Sequence, residues 1–193
     1  MRKWMRRLLF TLLGIAVMWT ALTVWVEAEG PANEEELGPA NAPRHALVVY
    51  DPDPIYDLDA QVCHAFAEGL VTNGYNATVA TVAAARRFDA TTFDLLVLCA
   101  NTYNWRPDRA IQHYVKDLGD LGHRPVFAIT LGSGSTEDAQ HVFEELVQGQ
   151  AADLVASKTL WLMRPNDEAR MEESNVDVAT DMARQWGREQ GLP

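Results

Sequence analysis

Residues 45–74 read HALVVYDPDPIYDLDAQVCHAFAEGLVTNG, and this stretch decides the architecture. Ala46 to Tyr50 is a short, unbroken apolar run closed by Asp51-Pro52, the pattern of a strand buried on both faces of a parallel sheet. From Leu58 to Asn73, apolar residues recur at Val62, Phe66 and Leu70. That is helical spacing, and Asn73-Gly74 closes it. Strand, loop and helix in this order make half of a crossover unit, and the chain repeats the theme. Strand-like runs follow at Ala77–Val82, Leu95–Cys99, Val126–Thr130 and Thr159–Met163, with helical patterns at about 108–118, 136–148 and 176–190. Between the second and third strands only Ala83 to Phe93 is available, which is short for a crossover helix. Five strands alternating with helices predict an open parallel α/β sheet, and right-handed crossovers put its functional crevice at the carboxyl ends of the strands. The loops that matter therefore follow Tyr50, Cys99 and Thr130.

Upstream of this domain the composition changes twice. Leu8 to Val26 carries no charge over 19 residues and is preceded by Arg2, Lys3, Arg6 and Arg7. At 1.5 Å per residue it approaches the ~30 Å hydrocarbon layer of a bilayer, and its apolar length exceeds the ~7–15 residues of a cleaved signal peptide. Residues 1–26 are expected to be an uncleaved membrane anchor. The basic flank stays in the cytoplasm, which places the domain on the extracytoplasmic side of the cell membrane. Cleavage near Val26-Glu27-Ala28 is the competing expectation. Residues 27–44 carry five glutamates and three prolines without apolar periodicity, and read as a solvated tether to a domain over 45–193.

The charge is equally uneven. Formal net charge is −11 over 193 residues, yet no acid precedes Glu27, so 12 of the 16 basic residues face all 27 acidic ones thereafter, a net −15. Such a surface repels phosphate backbones, which excludes nucleic acid as an expected partner and favours a basic protein. Cys63 and Cys99, the two cysteines, lie in apolar surroundings and read as buried thiols. The five histidines form no cluster, and neither a nucleophile-elbow G-x-S-x-G nor a P-loop pattern occurs.

The loop after the third strand is the most specific. Ala100-Asn-Thr-Tyr-Asn-Trp-Arg-Pro-Asp-Arg-Ala-Ile111 resembles the segment of flavodoxin-family proteins in which a Thr-Tyr or Val-Tyr pair, a few polar residues and a proline lead into a helix. Gly132-Ser-Gly-Ser-Thr136 lies where that family places a second flavin-contacting loop. The resemblance covers about 45–187 and implies a flavodoxin-like sheet of strand order 2-1-3-4-5. It implies FMN as cofactor and electron transfer at the membrane with a redox partner. Thr102, Tyr103, Asn104, Trp105, Gly132, Ser133 and Gly134 would be the cofactor-binding residues. The aromatic pair is suited to stacking on an isoalloxazine, and the polar groups to its edge.

The first loop departs from that family. A flavin phosphate needs a loop rich in Ser, Thr and Gly whose N–H groups converge beside a helix N-terminus. Here Asp51-Pro-Asp-Pro-Ile-Tyr-Asp-Leu-Asp59 supplies four carboxylates, Asp51, Asp53, Asp57 and Asp59, and two prolines without N–H donors. Two like charges ~4–5 Å apart at an effective dielectric near 20 cost on the order of 3–4 kcal/mol, enough to offset much of a phosphate's contribution. A cofactor-free binding module is therefore the alternative expectation. A strand followed by Asp-x-Asp also resembles the first motif of haloacid-dehalogenase-type phosphohydrolases, implying a Mg²⁺-dependent role for Asp51 and Asp53. Pro54-Ile55 stands where that family has Gly-Thr, and no lysine follows the relevant strands at a suitable place.

Overall fold

The computed structural model describes residues 3–190. Arg2 of the basic flank and residues 191–193 of the expected domain lie outside them. Strands run over Glu34–Leu37 (β1), Arg44–Tyr50 (β2), Tyr75–Thr81 (β3), Leu95–Tyr103 (β4), Arg106–Pro107 (β5), Pro125–Gly132 (β6) and Asp153–Trp161 (β7). Helices occupy Lys3–Val26 (α1), Leu58–Thr72 (α2), Val82–Ala85 (α3), Arg109–Leu118 (α4), Glu137–Gln148 (α5) and Asn175–Glu189 (α6). The sheet order is β1-β3-β2-β4-β6-β7, with β5 paired to the end of β4. Its five parallel members stand in the expected order 2-1-3-4-5. As the short span after β3 suggested, its crossover holds only the single turn of α3 and a 3₁₀ turn at Ala90–Thr92.

Alternation along each central strand divides the core. Ala46, Val48 and Tyr50 of β2, with Leu95, Val97 and Cys99 of β4 and Phe127, Ile129 and Leu131 of β6, pack beneath α2 and α6. The intervening Leu47, Val49, Leu96, Leu98, Val126 and Ala128 pack beneath α3, α4 and α5. Because both faces are covered, these strands hold no polar alternation, and each fully buried Leu, Val or Phe contributes about 1.5–3 kcal/mol. Cys63 and Cys99 are free, buried thiols in the first of these layers. The helices of that layer touch through glycine. A Cβ placed on Gly69 would lie 2.2 Å from the Arg184 carbonyl oxygen, and one on Gly187 would lie 2.1 Å from that of Phe66.

Two elements differ from the sequence expectation. The last parallel strand begins at Asp153, six residues before the apolar Thr159–Met163 run, because β7 is an outer strand with an alternately exposed face and its first half, Asp-Leu-Val-Ala-Ser-Lys, mixes polar with apolar residues. Within the stretch expected as a solvated tether, β1 pairs antiparallel with β3, Glu35 opposite Val79. The glutamates still point to water, since an outer strand needs only its backbone satisfied by the sheet. Asn33 and Thr81 exchange further hydrogen bonds just before β1: Asn33 N–H donates to Thr81 Oγ1 and Thr81 N–H to the Asn33 carbonyl, each at 2.9 Å.

α1, 24 residues long, holds an 18-residue stretch of mean hydropathy 2.0, long and apolar enough to cross a membrane, and none of that stretch is buried by the rest of the chain.

Candidate functional site

Loops from the carboxyl ends of β2, β4, β6 and β7 surround a crevice of about 220 Å³. Its apolar lining is Leu58, Leu131, Leu162 and Met163 with Tyr56, and its polar lining is Asp53, Asn101, Thr102, Tyr103 and Ser133. Of the residues expected to hold a flavin, Thr102, Tyr103, Gly132 and Ser133 line this crevice. Asn104, Trp105 and Gly134 line a second, outer recess of about 420 Å³, shared with Thr102, Ser133, Met163 and, from α1, Trp19. Sequence reasoning passed over Leu162 and Met163, because the loop after β7 was not among those expected to matter.

The β4 loop is a hairpin. Thr102 pairs with Pro107 and Tyr103 with Arg106, leaving Asn104 and Trp105 as a two-residue turn with φ of 49° and 61°. Two consecutive left-handed residues make a type I′ turn, where Asn-Gly is favoured and tryptophan is not. The turn sends Trp105 outward, 64% exposed, while Tyr103 stays at the crevice.

Gly132 is required by packing. A Cβ there would fall 2.5 Å from Thr136 Cγ2 and 3.2 Å from Thr102 Cβ, so the neighbouring threonines already fill that space. Gly134 has open space around it. Thr136, at the start of α5, accepts at Oγ1 from the Trp161 indole N–H at 2.9 Å, joining the β6 and β7 loops.

The carboxylates of the first loop have specific partners. Asp53 Oδ1 accepts from the backbone N–H groups of Ile55 (2.7 Å) and Tyr56 (2.9 Å), and Asp53 Oδ2 accepts from the Tyr103 hydroxyl. Asp59 turns back from α2 to accept from the N–H of Asp53 (2.7 Å) and from Asn101 Nδ2 (2.8 Å). Asp51, buried, accepts from the N–H of Gly30 at 2.9 Å. Asp108 caps α4 through the N–H of Ile111 and also accepts from the N–H of Asn101. Burial pushes the carboxyls of Asp51 and Asp59 up to about 6 against the partial relief of these hydrogen bonds, and drives Asp108 upward as well. Burial first, then the bond to Asp53, raises the Tyr103 phenol above its ordinary range.

This arrangement tests the two anion chemistries the sequence suggested. The N–H groups of Asp53, Ile55 and Tyr56 in that loop are taken by the chain's own Asp59 and Asp53, and with Asp51, Asp53, Asp57 and Asp59 beside them the loop does not fit the phosphate of FMN. For a phosphohydrolase, Asp51 and Asp53 would have to share a cation. Asp51 instead faces Gly30, both Asp53 oxygens are engaged, and among the described residues no three His, Cys, Asp or Glu side chains converge where an ion could be held.

The sequence matches no protein-family model and no curated protein. Solved structures do match in shape. The flavodoxin, WrbA-like protein from Agrobacterium tumefaciens superposes with a TM-score of 0.54 at 15% identity, over 76% of this chain and 94% of that one. Megasphaera elsdenii flavodoxin gives 0.54 at 9% identity, over 72% and 98%. The NAD(P)H:quinone oxidoreductase of Methanothermobacter marburgensis gives 0.52 at 14%, over 77% and 99%. At these identities the likeness is one of fold. The domain has the flavodoxin-like fold, and its carboxyl-end crevice must speak for its own chemistry.

Proposed function

We propose that this protein is a membrane-anchored binding module of flavodoxin-like fold whose crevice receives an uncharged, largely apolar group and does not hold FMN by its phosphate. The observation that carries this reading is Asp53, whose carboxylate occupies the N–H groups of Ile55 and Tyr56 that a phosphate would need. Residues 1–26 serve as the anchor, with the basic flank inside and the 45–193 domain on the extracytoplasmic side; the length and mean hydropathy of α1 support the span, and the charge flank supports the sidedness. The net charge of −15 beyond residue 26 suits a basic protein partner.

A second reading, flavin-dependent electron transfer, is favoured by Thr102, Tyr103, Gly132 and Ser133 lining one crevice in a fold shared with flavodoxin. One titration separates the two. Full-length protein purified in detergent is expected to be colourless and to bind FMN no more tightly than riboflavin. A yellow preparation absorbing near 450 nm, or FMN bound about tenfold more tightly than riboflavin, overturns the first reading in favour of the second. Sidedness is tested by protease added to intact cells, which is expected to digest the domain.

A further inference from the structure

Outside α1, the described residues include six exposed large apolar side chains: Ile55, Tyr56, Trp105, Val155, Met163 and Met171. Five of them share one location. Ile55 and Tyr56 follow β2, Trp105 follows β4, and Met163 and Met171 follow β7, so all five belong to loops leaving the carboxyl ends of parallel strands. Tyr56 and Met163 line the crevice, Trp105 and Met163 line the recess outside it, and Ile55 and Met171 lie on the same end of the sheet. Trp105 and Met163, 64% and 68% exposed, are the two that share the outer recess. Monomeric soluble domains rarely gather large apolar side chains into one exposed group without a partner for it.

The same end of the sheet carries the anchor. Helix α1 ends at Val26, and Glu27, its side chain 7% exposed, pairs with Arg109 at 2.5 Å at the start of α4. Gly30 then donates to Asp51 at the end of β2, and Thr81 at the end of β3 donates through its hydroxyl to the Pro31 carbonyl at 2.8 Å. Gly30 lies four positions after Val26, at most about 14 Å of chain, so the domain has little slack to turn its crevice away from the membrane. Trp19, seven residues before the end of α1 and so about 10 Å below it along the helix, lines the same recess as Trp105 and Met163. The β4 turn therefore lies beside the helix, not beyond its end.

We infer that the rim formed by Ile55, Tyr56, Trp105, Met163 and Met171 rests in the lipid interface of the membrane that α1 spans, so that the crevice opens onto lipid. Tryptophan and tyrosine suit that layer, where an apolar ring and a polar tip are both satisfied, and an apolar rim can bury itself some 5–10 Å at the headgroup boundary. Arg106, beside Trp105 and exposed, makes no ion pair among the described residues and is placed to meet lipid phosphates. A group bound in the crevice would then arrive from the membrane side, in keeping with its apolar lining. This inference rests on the membrane-anchor reading proposed above.

The experiment reconstitutes the full chain in vesicles of phosphatidylcholine with phosphatidylglycerol and a fluorophore on Trp105→Cys or, as a second probe, Met163→Cys. Cys63 and Cys99 are buried and leave the label to the introduced thiol. Asp120→Cys, exposed in the loop that precedes β6 at the opposite end of the sheet, is the control. With lipid spin-labelled near the headgroup, the probes at 105 and 163 are expected to be quenched several-fold more than the probe at 120. Equal quenching at all three sites, in protein that floats with the vesicles after a carbonate wash, overturns the rim contact and leaves the anchor standing. Protein that the wash strips from the vesicles overturns the anchor reading, and the inference with it.

Discussion

The Tyr103 hydroxyl donates to Asp53 Oδ2 at 2.5 Å, joining the end of β4 to the loop after β2 in the lining of the crevice. With its other oxygen on the Ile55 and Tyr56 N–H groups, the Asp53 carboxylate occupies its loop much as a bound anion would. The placement has a direct consequence. Asp53→Thr removes the charge and releases both N–H groups, so FMN affinity is expected to rise about tenfold over the parent while riboflavin affinity stays level. Flavin fluorescence titration reads both numbers, and unchanged or weaker FMN binding would refute the occupied-loop argument.

The pH dependence of stability follows from Asp51 and Asp59. Burial raises both carboxyls from 3.8 to about 6, so between these values the folded state keeps protons that the unfolded chain has released. The stability these groups contribute is fully present below about pH 4 and is lost as pH rises through about 6. Full-length protein in detergent should melt at a higher temperature near pH 5 than near pH 7. Asp51→Asn keeps an acceptor for Gly30 and should stabilise the fold at pH 7 by on the order of 1 kcal/mol, the effect disappearing near pH 4. A melting temperature indifferent to Asp51→Asn at pH 7 would show that the buried charge costs nothing.

Gly69 and Gly187 set how closely α2 and α6 approach. Alanine in a helix normally gains up to about 1 kcal/mol over glycine. At these positions the added Cβ would lie about 2 Å from a backbone carbonyl of the facing helix, so overlap wins. Gly69→Ala and Gly187→Ala are each expected to cost about 3 kcal/mol or more, read by chemical denaturation. Gly134→Ala, with open space around it, serves as the neutral comparison.

Trp105→Gly tests whether the β4 turn trades stability for exposure. Trp105 sits at φ 61°, in the left-handed region where glycine is at ease and a bulky side chain is strained. Thermal unfolding in detergent should show Trp105→Gly more stable than the parent by up to about 1 kcal/mol. A destabilised variant would mean that the indole packs more than it strains.

The central strands were legible because a strand buried on both faces leaves no room for polar residues: Leu95–Cys99 and Val126–Thr130 declare themselves by composition alone. α2 was legible through Val62, Phe66 and Leu70, and the 2-1-3-4-5 order through the resemblance to flavodoxins carried by Thr102-Tyr103 and Gly132–Thr136. The outer strands were not, since β1 is three glutamates and a leucine and the first half of β7 mixes polar with apolar residues; backbone pairing, which leaves no mark on side-chain choice, places them. The closeness of Gly69 and Gly187 and the sharing of one recess by Trp19 and Trp105 join residues far apart in the chain, and no local pattern encodes such pairs. The first loop shows the division most sharply. Its four carboxylates and two prolines announce from the sequence that an anion is unwelcome, by Coulomb repulsion and missing donors. That Asp53 itself takes the N–H groups of Ile55 and Tyr56, while Asp51 turns away to hold Gly30 in the segment after α1, depends on how the loop folds against Tyr103 and that segment, and only the tertiary structure decides it.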